Sequence, residues 1–95
     1  MASSEVAYED DRFRATRWTI EPGGQIPMHR HEHDYLVVPL RRAVMHVTTA
    51  DGELIVAEME PGTAYARPRG SEHRNENRGE RTVEFIEVEW LGPAG

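Results

Sequence analysis

Gly62-Thr63-Ala64-Tyr65-Ala66-Arg67-Pro68-Arg69-Gly70-Ser71-Glu72-His73-Arg74-Asn75-Glu76-Asn77 is the stretch on which the fold of this 95-residue chain turns. Pro61-Gly62 opens a turn, Thr63 to Ala66 reads as a brief strand, and Pro68-Arg69-Gly70 turns again. Gly62 and Gly70 suit such turns because glycine accepts positive φ. The second turn lets a loop lead into a strand that carries His73.

Working outward, the same rhythm continues. Glu53 to Met59 and Ala43 to Thr49 form a hairpin across Asp51-Gly52. Tyr35 to Leu40 is a short apolar run, better as a buried strand than a helix. Gln25 to His31 can run extended, with Pro27 confining it to an edge or a strand end. Glu21-Pro22-Gly23-Gly24 stops the strand Phe13 to Ile20, whose Trp18 and Ile20 share a face. Arg81 to Leu91 carries Val83, Phe85, Ile86, Val88 and Trp90 with one register ambiguity, and Glu84, Glu87 and Glu89 supply its polar positions. Val6 to Tyr8 is a weak strand.

No segment sustains a helical stripe, and turn signals every eight to twelve residues point to an all-β sandwich or barrel. The chain divides into an N-terminal arm or edge strand over 1–12, a barrel over 13–91 and a tail over 92–95. One small domain with 38% hydrophobic residues has a thin core. A metal or a second subunit would support it, and sheet edges needing cover point to a homodimer.

Composition removes several functions. There is no cysteine, which excludes disulfides, thiolate ligands and thiol nucleophiles. All eleven basic residues are arginine, so lysine Schiff bases and the phosphate-loop lysine are excluded too. A net charge of −6 argues against nucleic acid or an anionic membrane as partner. No apolar run reaches the ~20 residues needed to span a bilayer. Met1-Ala2-Ser3-Ser4-Glu5 lacks the basic and apolar parts of a secretory signal, so a cytoplasmic location is expected.

What remains is histidine chemistry. Four of the five histidines fall in two windows, Met28-His29-Arg30-His31-Glu32-His33-Asp34-Tyr35 and the stretch ending at Asn77. On an extended backbone His29 and His31 project to one face. If His73 meets them inside a barrel, three neutral imidazoles suit a divalent transition metal far better than magnesium or calcium.

Here the chain resembles the cupin family, small jelly-roll β-barrels. The family's second motif is Gly, five residues, Pro-x-Gly, two residues, His, three residues, Asn. It is complete at Gly62, Pro68, Gly70, His73 and Asn77. The first motif is Gly, five residues, His-x-His, then a glutamate and a glycine. It is partial, with Gly23, His29 and His31 in place, Tyr35 at the glutamate and Arg42 at the glycine. Together the motifs cover Gly23 to Asn77.

The resemblance implies a cupin-type jelly-roll barrel with metal ligands His29, His31 and His73. Gly62, Gly70 and Asn77 would be structural. The metal would be iron, zinc, nickel, manganese, copper or cobalt, among which the sequence makes no choice. Tyr35 admits three readings: a bystander to a neutral three-histidine centre, a ligand or hydrogen-bond donor at the metal, or part of a metal-free ligand site. His33 is the alternative ligand, or a loop residue. His46 is read as facing outward. Tyr35 is the candidate catalytic residue, orienting substrate or stabilising a developing oxyanion, and Tyr35, Arg67 and Arg69 are candidates for substrate binding, the arginines for an anionic group. A metal-dependent dioxygenase, lyase or isomerase acting on a small organic molecule would fit. So would a non-catalytic module that binds or senses one.

Overall fold

The computed structural model describes residues 1–93; of the expected tail, Ala94 and Gly95 lie outside the described residues. Among the described residues the elements are all strands: β1 (Ala2–Glu9), β2 (Phe13–Ile20), β3 (Gln25–Arg30), β4 (Tyr35–Pro39), β5 (Ala43–Thr49), β6 (Leu54–Met59), β7 (Tyr65–Arg67), β8 (Glu72–Glu76) and β9 (Val83–Trp90). No helix there is long and apolar enough to cross a membrane. The all-β expectation holds. The brief strand expected over Thr63 to Ala66 runs instead at Tyr65–Arg67, because the Pro61-Gly62 turn extends to a bond from the Thr63 N–H to the Glu60 carbonyl. The weak Val6–Tyr8 segment belongs to the eight-residue β1, held by antiparallel pairing to β2.

Two antiparallel sheets face each other in a jelly roll. One has the order β1-β2-β9-β4-β7, the other β3-β8-β5-β6. Each strand sends alternate residues inward, as period two demands. Trp18 and Ile20 of β2, Val83 and Phe85 of β9, and Val37 of β4 meet Ile26, Met45, Val47 and Met59 of the other sheet. Ile20, Met45, Met59 and Val83 are essentially without solvent contact. This packed end closes the barrel and stiffens the frame on which the open end is built.

Asn77 locks the closed end. Its Nδ2 donates to the carbonyls of Ile20 (2.8 Å) and Arg81 (2.7 Å), and its Oδ1 accepts from the Gly79 N–H at 3.0 Å. Its backbone bridges to Gly23 and Gly24. One buried side chain thereby ties β2, the β3 approach and the β8–β9 loop together. Gly62 and Gly70 adopt φ of 89° and 88°, the left-handed conformation the two turns require.

Candidate metal centre

β3 and β8 pair so that His29 lies directly opposite His73. Strict alternation from the buried Ile26 would turn His29 and His31 outward, since they have opposite parity. A β-bulge between Ile26 and His29 adds the residue that reverses the phase. Pro27 sits in it, where its missing N–H leaves no gap in a regular ladder. Beyond β3 the chain is held by the turn that precedes β8: the His31 N–H donates to the Ser71 carbonyl, and the Gly70 N–H to the His31 carbonyl, both at 2.8 Å. The Pro-x-Gly turn is thus the clamp that fixes His31.

The three imidazoles converge through their Nε2 atoms. His29 Nε2 lies 3.0 Å and His73 Nε2 3.1 Å from His31 Nε2. The opposite ring nitrogens show which atoms carry protons. His29 Nδ1 is 2.7 Å from the Pro27 carbonyl oxygen, which can only accept, so Nδ1 bears the hydrogen and Nε2 is a bare lone pair. His31 Nδ1 faces a carboxylate oxygen of Glu87 at 3.5 Å. Burial, and then the charge of His29, lower His31 and His73 to a pKa of about 4. At neutral pH they are the uncharged bases that bind metals.

The bare lone pair of His29 Nε2, set against its neighbours' ring nitrogens, is stabilised by a proton or a cation between them. Nitrogens bound at ~2.1 Å to one ion are ~3.0 Å apart at a right angle and ~3.4 Å apart at a tetrahedral angle. The observed spacing therefore fits a divalent transition metal, and fits right-angled donors better. With no thiolate and no carboxylate among them, the three donors bring no negative charge to the site.

Around the histidines the inner face forms rows across the first sheet. Arg67 of β7 lies opposite Tyr35 of β4, which lies opposite Glu89 of β9, which lies opposite Arg14 of β2. The next row is Tyr65, Val37, Glu87 and Thr16. These side chains, Arg14 excepted, and the three imidazoles line a cavity of about 440 Å³, with Trp18, Met45 and Phe85 at its apolar floor.

Tyr35 stacks its ring on His31, centroids 3.9 Å apart and planes 21° apart. Its hydroxyl is buried near Ser71 and makes no hydrogen bond of normal geometry. Burial, and then the charge of Glu87, push its pKa up, so it stays a protonated donor rather than a phenolate. Arg67 is half-buried and lines the cavity. Arg69 is exposed, outside the cavity, and donates its backbone N–H to Asp34. His33 sits on the bend after His31 and is not among the converging ligands. His46 is out of phase with the buried Met45 and Val47 and faces away from the cavity. Met59 is core, and Trp90 lies on the outer face against Phe13.

Glu87 is the site residue that the sequence reading passed over as an ordinary polar position. It is buried, and burial together with the charge of Glu89 raises its pKa to about 7 against the pull of Arg14. The signal was its parity: Val83, Phe85, Glu87 and Glu89 share one face of β9.

Opposing pH dependences follow in the metal-free protein. The folded state refuses protons on His31 and His73 that the unfolded chain accepts, so stability is lost as pH falls from 6.5 to about 4. Glu87 holds a proton that the unfolded chain releases, so stability is lost as pH rises from 4.5 to about 7. Metal-free Glu87→Gln protein is expected to unfold at a higher temperature than wild type at pH 8 and to match it near pH 4. A variant less stable than wild type at pH 8 would mean that the contact with His31 outweighs the burial of charge.

Residues 16–89 match the family described as Cupin domain. The chain is 39% identical over 84 residues to the Beta-alanine degradation protein BauB of Pseudomonas aeruginosa, covering 88% of this chain and 87% of that protein. The crystal structure of a cupin domain from Bordetella pertussis superposes with a TM-score of 0.90 at 32% identity, covering 96% of this chain and 94% of that one. The polyketide cyclase RemF from Streptomyces resistomycificus superposes with a TM-score of 0.78 at 25% identity, covering 96% of this chain and 66% of that one.

Proposed function

The chain belongs to the cupin family, and from that premise we propose that it is a metal-dependent enzyme acting on a small organic molecule. The metal is a divalent transition ion held by His29, His31 and His73. The observation that carries this reading is the convergence of three imidazoles, with His31 Nε2 lying 3.0 Å from that of His29 and 3.1 Å from that of His73, on the wall of a cavity of about 440 Å³. BauB is named for the degradation of β-alanine, which supports a small metabolite as the substrate.

When bound, the metal supplies Lewis-acid or redox chemistry and a template for orienting substrate. The chain's own residues do the rest. Glu87 faces His31 Nδ1 at 3.5 Å, and in its ionised form it would draw the Nδ1 proton and keep Nε2 turned to the centre. Trp18, Met45 and Phe85 hold the apolar part of the substrate and exclude water. The Tyr35 hydroxyl is a buried donor with no partner in the protein. It donates to a substrate oxygen on which negative charge develops.

The reaction class is tested by elemental analysis of untagged protein, followed by a turnover screen of small thiols and β-dicarbonyls with oxygen uptake recorded. Tyr35→Phe is expected to retain wild-type metal and lose roughly 100-fold in kcat. Unchanged kcat removes Tyr35 from the chemistry. Protein purified without metal, and unable to take it up, overturns the reading. Metal without turnover of any compound favours a module that binds or senses its ligand.

A further inference from the structure

The open end of the barrel holds a cation that pairs with no carboxylate among the described residues. Arg67 faces Tyr35 across β7 and β4, so both side chains enter the cavity from the same face. Its Nε is buried and has no hydrogen-bond partner. Among the described residues no carboxylate comes within ion-pair distance of it. The carboxylate of its own row, Glu89, is taken by Arg14 at 2.8 Å, and Glu87 faces His31.

A guanidinium half-withdrawn from water and left unpaired is a forked donor awaiting a planar oxyanion. The fork matches a carboxylate, two parallel N–H groups to two oxygens. The charge of the cavity points the same way. Glu58, Glu87 and Glu89 also line the cavity, so a monoanion on the single unpaired arginine meets less repulsion than a phosphate dianion would. The apolar floor of Trp18, Met45 and Phe85 suits a short hydrocarbon body.

We propose that Arg67 is the anion receptor of this cavity and that the natural ligand is a small monocarboxylate, with its carboxylate on the guanidinium and its other end toward His29, His31 and His73. The second half of the statement rests on the metal-centre reading above; the first half does not.

The test uses the full chain as purified, with metal content measured in every sample. Acetate, propionate, butyrate and valerate, and the primary amide of each, are titrated by calorimetry and by thermal unfolding. At least one carboxylate is expected to bind roughly 10- to 100-fold more tightly than its amide, as loss of a charge-assisted pair implies. Arg67→Met and Arg67→Gln are expected to abolish that preference while leaving metal content unchanged. Arg67→Lys should restore part of it, and Arg69→Met should behave as wild type.

Equal affinity for acid and amide, no binding of any acid at millimolar concentration, or a preference that survives in both Arg67→Met and Arg67→Gln overturns the proposal. The last of these, if removing metal then abolishes it, assigns the carboxylate to the metal instead. A preference that depends on Arg67 in protein holding no metal keeps the anion receptor and defeats the metal reading. Bound metal with no dependence on Arg67 does the reverse.

Discussion

His31→Ala is expected to lose at least roughly 100-fold in metal affinity, the upper end of what is lost when only a ligand's supporting partner is removed. His31 is central in the cluster, with Nε2 within 3.1 Å of both neighbours, and it is held by two backbone bonds to the Pro-x-Gly turn. Among the described residues no further histidine or carboxylate joins the cluster, and Glu87 meets His31 at Nδ1, on the far side of the ring. His29→Ala and His73→Ala should behave alike. His33→Ala and His46→Ala should retain wild-type metal, since neither belongs to the cluster. Elemental analysis and competition with a chelator on untagged protein decide the matter. Thermal unfolding of each variant separates loss of ligand from loss of fold. If all three cluster variants hold metal as the wild type does, the ion lies elsewhere.

Asn77→Ala is expected to cost about 2 kcal/mol of folding stability, read from urea denaturation. The change leaves the Ile20 carbonyl unpaired in the interior and takes the partner from the Arg81 carbonyl and the Gly79 N–H, which lie nearer the surface where water can replace it. Each buried polar group left unmade costs on the order of 1 kcal/mol or more. A domain of this size has ~5 to 15 kcal/mol in all, so the loss is a sizeable fraction of the total and should lower the thermal midpoint by roughly 10 °C. Asn77→Asp keeps an acceptor for Gly79 but sets a carboxylate against two carbonyl oxygens, and should be at least as damaging. A loss below ~1 kcal/mol would show that the backbone bonds to Gly23 and Gly24 hold the closed end by themselves.

The strands were legible because turns announce themselves locally. Asp51-Gly52, Pro61-Gly62 and Pro68-Arg69-Gly70 each need a backbone that few residues supply, and three of their glycines do adopt positive φ. The strand Tyr35 to Pro39 was legible from its apolar run. The edge strand β1 was underestimated for the opposite reason. It is exposed along most of its length, so no periodic burial marks it, and pairing to β2 alone defines it.

Facing was harder to read than pairing. In β9 both parities carry apolar residues, Val83 and Phe85 on one and Ile86, Val88 and Trp90 on the other. Pattern alone could not choose between them. The structure turns Val83, Phe85 and Glu87 inward, and with them a carboxylate enters beside His31. The residue at the family's glutamate position is a tyrosine, yet a carboxylate reaches the site from a strand some fifty residues later in the chain.

The sequence by itself determined the residue types available for chemistry, the turns, and the two windows of histidine. These depend on composition and short-range backbone preference, which are local properties. Only the tertiary structure decided that His29 and His31 face inward, because the bulge at Pro27 reverses a phase that alternation would have set the other way. It also decided that Glu87 joins the site, that Arg67 enters the cavity and that Arg69 stays outside. Each of these depends on strand register, and register is fixed by burial and pairing across the whole barrel.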